Sequence, residues 1–389
     1  MIVRISNPFH LSAAITATAL VAALAAATPA LAQTEPGAVR CEKRAAAEPP
    51  RIDLPTMQRL DGRPVKYEPE VRLKPVCPDG EVPVVELFLG GRYVHKGNPL
   101  LGPYAAEGPE HALSPEFIKH NLLLPFDQVY WKRQGSTSPA PATPVPDGGD
   151  PPCNGVPWFG SCYFYGNAAQ NVVAGGGGFT LQIEKPVVAE PSADDTANHS
   201  IGEIAVMNAG EAGGTLNDVE SGFIVTGGDP RPLLFVYHWN DGAETCYNSC
   251  DWHQYSSTYS PGMDLTPFVG KSVYVGWVQY KNAWWAWFND QWIGYIENSA
   301  WTVPFTQTAQ IHWYGEVASD NGIPPKTQMG DGKFPTNTAA ATMATLCAVN
   351  IKAWVCYYNN GQSTGATQVN YYDIQNAVYG AVRYGGPGQ

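Results

Sequence analysis

The chain has 389 residues, with 23 Lys and Arg against 35 Asp and Glu, for a formal net charge of −12. The imbalance is local: residues 33–133 hold 14 cations and 14 anions, whereas residues 134–389 hold 8 and 21, a net −13. A region so poor in cations cannot attract a phosphate backbone, which excludes nucleic acid as a partner, and in acid, where its carboxyls become neutral, it has little repulsion to suffer.

In chain order, Arg4, the apolar stretch from Leu11 to Ala27 and the small-residue site Ala30-Leu31-Ala32 read as a secretory signal over residues 1–32. No later segment offers the ~18 uninterrupted apolar residues of a membrane span, so the mature protein is expected to be secreted, to the periplasm or beyond, with no membrane partner. Residues 33–133 are rich in proline. They hold the pattern VPVVELFLGGRYV for one or two strands and a short helix from Ser114, with Pro115 in its first turn, to about Leu123. This small mixed region is expected to be a prosegment that contacts the domain following it. Residues 134–152, QGSTSPAPATPVPDGGDPP, suit neither helix nor sheet and read as an exposed linker.

Residues 153–389 read as β throughout. Strands are predicted at Phe179–Glu184, Ile201–Asn208, Val219–Thr226, Leu233–Trp239, Ser272–Tyr280, Trp284–Phe288, Gln291–Ile296, Gln310–Val317, Thr342–Tyr357 (with a break) and Ala377–Tyr384, with Gly175 to Gly178 as a flexible lead-in to the first. Short strands without helical periodicity predict an all-β fold, an antiparallel two-sheet β-sandwich. An exported chain with eight cysteines suggests disulfides. Sequence alone permits 105 pairings, and locality favours Cys41 with Cys77, Cys153 with Cys162, Cys246 with Cys250 and Cys347 with Cys356. These spacings do not suit a zinc knuckle, and neither a metal nor another cofactor is expected.

Two lone glutamates stand out. In Gln310–Val317, period 2 sends Ile311, Trp313 and Val317 to one face and His312, Tyr314 and Glu316 to the other. In LNDVESGFIVT, Val219, Phe223 and Val225 share one face, and Glu220, Gly222 and Ile224 the other. Each glutamate faces away from the packed side, as a carboxylate pair in a cleft would. Taken singly, each also suits a solvated residue on an open sheet face.

Six short runs, in order, resemble the neprosin-type glutamic peptidases, secreted enzymes that cut after proline. They are Glu220-Ser221-Gly222-Phe223, Cys246-Tyr247-Asn248, Asn282-Ala283-Trp284-Trp285 with Ile293-Gly294-Tyr295, Trp313-Tyr314-Gly315-Glu316-Val317, Thr327-Gln328-Met329-Gly330 and Tyr384-Gly385-Gly386-Pro387-Gly388. The resemblance implies a β-sandwich made as a zymogen, with its site on a concave sheet face, Glu220 and Glu316 as the catalytic pair and proline-containing peptides as substrates. Two neighbouring carboxyls cannot both ionise easily, so one stays charged and the other protonated, a division suited to acid. Glu316 is assigned as the base and Glu220 as the proton-bearing partner. Tyr314 stands where the family has a glycine, Pro325-Lys326 replaces a histidine-threonine lead, and Cys246 and Cys250 are one residue closer than the family's spacing.

Trp284, Trp285, Trp287, Trp292, Trp301 and Trp313 crowd one region, and alternation separates Trp284 from Trp285 and Trp287. Such rings suit a sandwich core, a proline-stacking cleft or a sugar platform. Tyr314, Trp285, Trp287 and Gln328 are the expected substrate-binding residues. The rival readings are a non-catalytic carbohydrate-binding or adhesive sandwich, and a glycosidase using the same two carboxylates. No GxSxG or HExxH occurs.

Overall fold

The computed structural model describes residues 39–388 except 52–53, 55–56, 59–63, 66, 86–95, 97–152, 154, 159–160, 190–197, 210–215, 321–323, 351–355, 359–361 and 378–379. The predicted signal, the helix from Ser114, the linker and most of the VPVVELFLGGRYV pattern lie outside the described residues. Val39–Gln389 forms one compact unit.

Among the described residues there is no α-helix, and two large sheets account for most of the strands. The seven-stranded sheet runs Asp229–Tyr237, Leu216–Thr226, His199–Ala209, Thr308–Ser319, Ser161–Ala174 and Ser363–Ala366, with Val156–Trp158 also paired to Ser161–Ala174. The second, eleven-stranded sheet includes Trp252–Gln254, Gln291–Glu297, Ala283–Phe288, Ser272–Tyr280, Gly176–Gln182 and Thr342–Val349 in that order. It continues through Cys356–Tyr358 to Met57–Gln58, which joins in parallel. The other pairings are antiparallel, some as hairpins such as Ala283–Phe288 with Gln291–Glu297 and others between strands far apart in sequence, such as Thr308–Ser319 with Ser161–Ala174.

Alternation decides what lies between the sheets. Ile311, Trp313 and Val317 of one strand and Val219, Phe223 and Val225 of another meet Val273, Val275, Trp277, Trp284 and Phe288 of the facing sheet in a single buried core. Each large side chain taken out of water there contributes roughly 1.5–3 kcal/mol. The all-β sandwich is therefore the architecture, and all four disulfides join the cysteines that locality paired: Cys41–Cys77, Cys153–Cys162, Cys246–Cys250 and Cys347–Cys356. Disulfides, and the absence among the described residues of a helix long and apolar enough to cross a membrane, are compatible with a secreted protein.

Two local expectations are corrected. Gly176 to Gly178 lie inside a strand paired with Ser272–Tyr280, and the missing side chain at Gly178 leaves room for the Tyr274 ring. Ser161–Ala174 was not predicted as a strand, because Gly166-Asn167-Ala168-Ala169-Gln170 has low β-propensity. It forms because the Glu316 strand pairs with it from Cys162 to Ala174. Tertiary pairing overrides the local preference.

Candidate active site

Three adjacent strands of the seven-stranded sheet carry acidic residues on its outer face. Glu316 stands on Thr308–Ser319, Glu203 on His199–Ala209 and Glu220 on Leu216–Thr226. Glu203 pairs with Tyr314 on one side and Gly222 on the other, and Glu220 pairs with Ala205. The three glutamates thus run diagonally across the sheet, each two residues off direct register, within reach of one another's long side chains. Gly222 is what admits the middle one: a Cβ there would lie 2.9 Å from that of Glu203 and run into the Gly202 carbonyl. Asp218 lies two residues before Glu220 on the same face and accepts a hydrogen bond from the Trp239 amide at 2.9 Å.

All four carboxyls are fully buried, and so is the cation at their centre, Lys96. Its ammonium donates to Glu316 Oε2 at 2.8 Å, Glu203 Oε1 at 3.0 Å and the Tyr314 hydroxyl at 3.2 Å, and lies 3.4 Å from Glu220 Oε2. It sits 5.2 Å from the centre of the Tyr314 ring, while the Lys96 amide donates to Glu244 Oε1 at 3.1 Å. The second oxygen of Glu316 is 2.9 Å from His199 Nε2. Around these groups pack Tyr163, Tyr165, Tyr237, Tyr247, Tyr314 and Trp239.

This arrangement separates the carboxyls by protonation. Burial raises the Glu316 carboxyl, but the Lys96 charge and the His199 hydrogen bond outweigh it and hold the group at about 2. Burial together with the Asp218 and Glu316 charges raises Glu220 well above the carboxylate range, with Lys96 opposing. Glu203 rises for the same reasons, burial first and then Glu220 and Glu316. Asp218 is lifted by burial to about 7. Glu316 therefore gives up its proton far more readily than its three acidic neighbours.

Of the residues picked out in the sequence, Glu220, Glu316 and Tyr314 meet here. Trp285 and Trp287 lie on the outer face of the other sheet, with Leu54, Tyr274, Trp292 and Tyr295. Gln328 is tied to a loop, its amide donating to the Val187 carbonyl at 2.8 Å and its Oε1 accepting from the Val187 amide at 2.9 Å. His312 is buried beside Asn167, 3.5 Å away, and burial depresses it to about 3. His199 takes the place beside Glu316. Met329 and Gly386 pair through their backbones, joining the TQMG and YGGPG runs behind Gly315, where a Cβ would meet Tyr384 at 2.6 Å and Met329 Sδ at 2.8 Å. These two runs support the Glu316 strand from its core side.

Sequence reasoning missed Glu203, His199 and Lys96. Glu203 carried a usable signal, since alternation in Ile201–Asn208 makes it another lone strand carboxylate.

No curated protein matches the chain. Solved structures similar to it include carbohydrate-binding module CBM66 from Bacillus subtilis, at 12% identity over 39% of this chain and 78% of that one, with a TM-score of 0.22. A prokaryotic β-1,3-1,4-glucanase derived from a mouse hindgut metagenome is similar at 10% identity over 62% and 89%, with a TM-score of 0.26. Sheep galectin-11 is similar at 12% identity over 39% and 92%, with a TM-score of 0.22. Likenesses at this level say nothing about chemistry. The neprosin family model matches residues 196–387, which hold His199, Glu203, Asp218, Glu220, Tyr314 and Glu316, so the chain belongs to the neprosin family and its membership supports a peptidase.

Proposed function

We propose that the protein is a secreted glutamic endopeptidase that hydrolyses peptide bonds after proline in acid and is made as a zymogen. The observation that carries this reading is that Glu316 and Glu220 reach the same nitrogen, at 2.8 and 3.4 Å, with opposite protonation tendencies. With the ammonium gone, a water in its place would touch both. Glu316 takes a proton from that water as its oxygen attacks the carbonyl carbon, and Glu220 donates its proton to the developing oxyanion. Collapse of the tetrahedral intermediate breaks the C–N bond, the proton on Glu316 passes to the leaving amine, and Glu220 recovers its own. His199 orients Glu316 by its hydrogen bond.

Latency is supported by Tyr67, Arg72 and Lys96 of the N-terminal region contacting the sandwich. The Tyr67 hydroxyl donates to Asn289 Oδ1 at 2.6 Å, Arg72 pairs with Asp290 at 2.7 Å, and Lys96 occupies the carboxyl cluster. Cleavage after proline is supported by the likeness of the six motifs. The test is incubation of the purified protein with a proline-rich unfolded substrate from acid to neutral pH, with cut sites mapped by mass spectrometry. Cuts after proline that disappear in Glu220→Gln and Glu316→Gln are expected; cuts unaffected by either substitution refute the pair.

A further inference from the structure

The strand Asp229–Tyr237 lies beside that of Glu220, with Tyr237 directly opposite the glutamate. His238 follows it and is buried. Its imidazole reaches both ends of the loop that Cys246–Cys250 closes. Nδ1 lies 3.2 Å from Thr245 Oγ1, just before the first cysteine, and Nε2 lies 3.2 Å from Asp251 Oδ2, just after the second. Trp301 packs edge-on against the ring, with centroids 5.5 Å apart. Hydroxyl, imidazole and carboxylate in this order could mark a nucleophile. However, the Thr245 hydroxyl donates to the His238 carbonyl, and the Thr245 amide is spent on the Tyr237 hydroxyl at 3.1 Å, which leaves neither for chemistry. An imidazolium donating from both nitrogens satisfies all these contacts at once, as a tie between strand and loop.

The tie grips the flank of Glu220. Before His238, the Tyr237 ring lies 5.0 Å from that of Tyr247 in the loop. After it, the Trp239 amide donates to Asp218 Oδ1 at 2.9 Å, and the Trp239 carbonyl accepts from Trp301 Nε1 at 2.7 Å. We propose that Thr245, His238 and Asp251 are positioning residues, which fix the Trp239 amide on Asp218 and so hold Asp218 beside Glu220. Glu220 is faced by Asp218 on its own strand, Glu203 and Glu316 from one side, Tyr237 from the other, and Lys96. Burial raises the Glu220 carboxyl most, and among its neighbours Asp218 does so most, with Lys96 opposing. Where Glu220 is the proton donor of the proposed peptidase, the tie sets how far towards neutral pH the donor keeps its proton. That consequence rests on the peptidase reading. The positioning itself does not.

The test is made in the full-length chain with carbon-13 at its aspartate carboxyls. Thr245→Val keeps the shape of the side chain, and the Asp251 side chain is 52% exposed, so Thr245→Val with Asp251→Ala leaves the core intact. The Asp218 resonance, assigned by its loss in Asp218→Asn, is expected to titrate at about 7 in the wild type. In the double variant it should titrate about half a pH unit or more higher, because an amide that no longer donates ceases to favour the carboxylate. Asp251→Asn, whose carboxamide oxygen still accepts from Nε2, should move it less than Asp251→Ala. An Asp218 midpoint that stays put in the double variant, or that Asp251→Asn and Asp251→Ala move alike, overturns the tie. An Asp218 less often charged pushes less on Glu220, so the alkaline limb of the peptide-cleavage profile should fall to lower pH in the double variant. A shifted Asp218 in a chain that cleaves no peptide leaves the tie standing and removes the peptidase reading, whereas cleavage with both Asp218 and the alkaline limb unmoved does the reverse.

Discussion

The two outer faces of the sandwich are both aromatic and both buried, yet they are covered in different ways. On the eleven-stranded sheet, Trp285, Trp287, Trp292 and Tyr295 pack with Leu54, an apolar residue of the N-terminal region. On the seven-stranded sheet, tyrosines surround carboxyls that meet Lys96 of the same region. Apolar contact is indifferent to pH, whereas an ion pair survives only while its carboxylate is charged. The dense tryptophans and the buried ionisable groups therefore lie on opposite outer faces.

The largest expected effect breaks the comparison at the glutamate face. Glu316→Gln or Glu220→Gln should lower kcat by about 10²- to 10⁴-fold, the usual contribution of a general acid or base, while circular dichroism stays that of the wild type. A variant keeping more than about a tenth of wild-type kcat removes its residue from acid–base duty.

Next come the two covers. Leu54→Ala should cost about 2–5 kcal/mol of unfolding free energy at every pH. Lys96→Gln should cost roughly 3 kcal/mol at neutral pH, because it leaves Glu316 charged and unpaired except for His199. That cost should shrink in acid. The folded-state value for Glu316 is depressed from 4.5 to about 2, so its stabilisation is complete above about pH 4.5 and is lost as pH falls towards 2. The groups facing the ammonium are His199 and Glu203 on one strand, Asp218 and Glu220 on the next, Tyr314 and Glu316 on the third, with Tyr165, Tyr237, Tyr247 and Glu244 around them. Glu203 and Glu220 are raised and lose nothing on acidification. Urea titrations at several pH values measure the difference, and a Lys96→Gln cost that stays constant down to pH 2.5 refutes the ionic cover.

How legible was this in the sequence? Strand alternation gave the faces of Glu220 and Glu316 correctly, because a period of 2 needs no tertiary knowledge. The disulfides followed from proximity in the chain. Ser161–Ala174 stayed hidden because its reason to be extended is the neighbouring Glu316 strand, 140 or so residues away in sequence. Lys96 stayed hidden for a related cause: nothing in its local sequence distinguishes a lysine destined for burial from a surface one, and only the assembled carboxyls create its site. The tryptophans were harder to place because alternation separates two faces without saying which sheet they belong to.

A smaller effect tests the tryptophan face. Trp285→Phe removes part of a ring that lies tilted at 30° to Tyr295 with centroids 4.6 Å apart, so the thermal midpoint should fall by a few degrees, on the order of 1 kcal/mol. Its distance from the glutamates predicts an unchanged KM for peptides, and a several-fold rise in KM with an unchanged midpoint would return this residue to the substrate site.

The smallest effect should come from Tyr314→Phe. The hydroxyl is one of four oxygens around the Lys96 ammonium and, at 3.2 Å, one of the weaker contacts, while the ring face 5.2 Å away survives the change. The three carboxyls stay in place, so no charge is stranded. Losing one hydrogen bond to a charged group costs at most about 1.5–3 kcal/mol, and the ring's remaining attraction for the cation offsets part of this. The unfolding free energy at neutral pH should therefore drop by about 0.5 kcal/mol, less than for Trp285→Phe or Lys96→Gln. The drop should fade over the same acid range, since the hydroxyl matters only while Glu316 keeps the ammonium beside it. A Tyr314→Phe cost equal to that of Lys96→Gln would mean that the tyrosine, and not the glutamates, holds Lys96 in place.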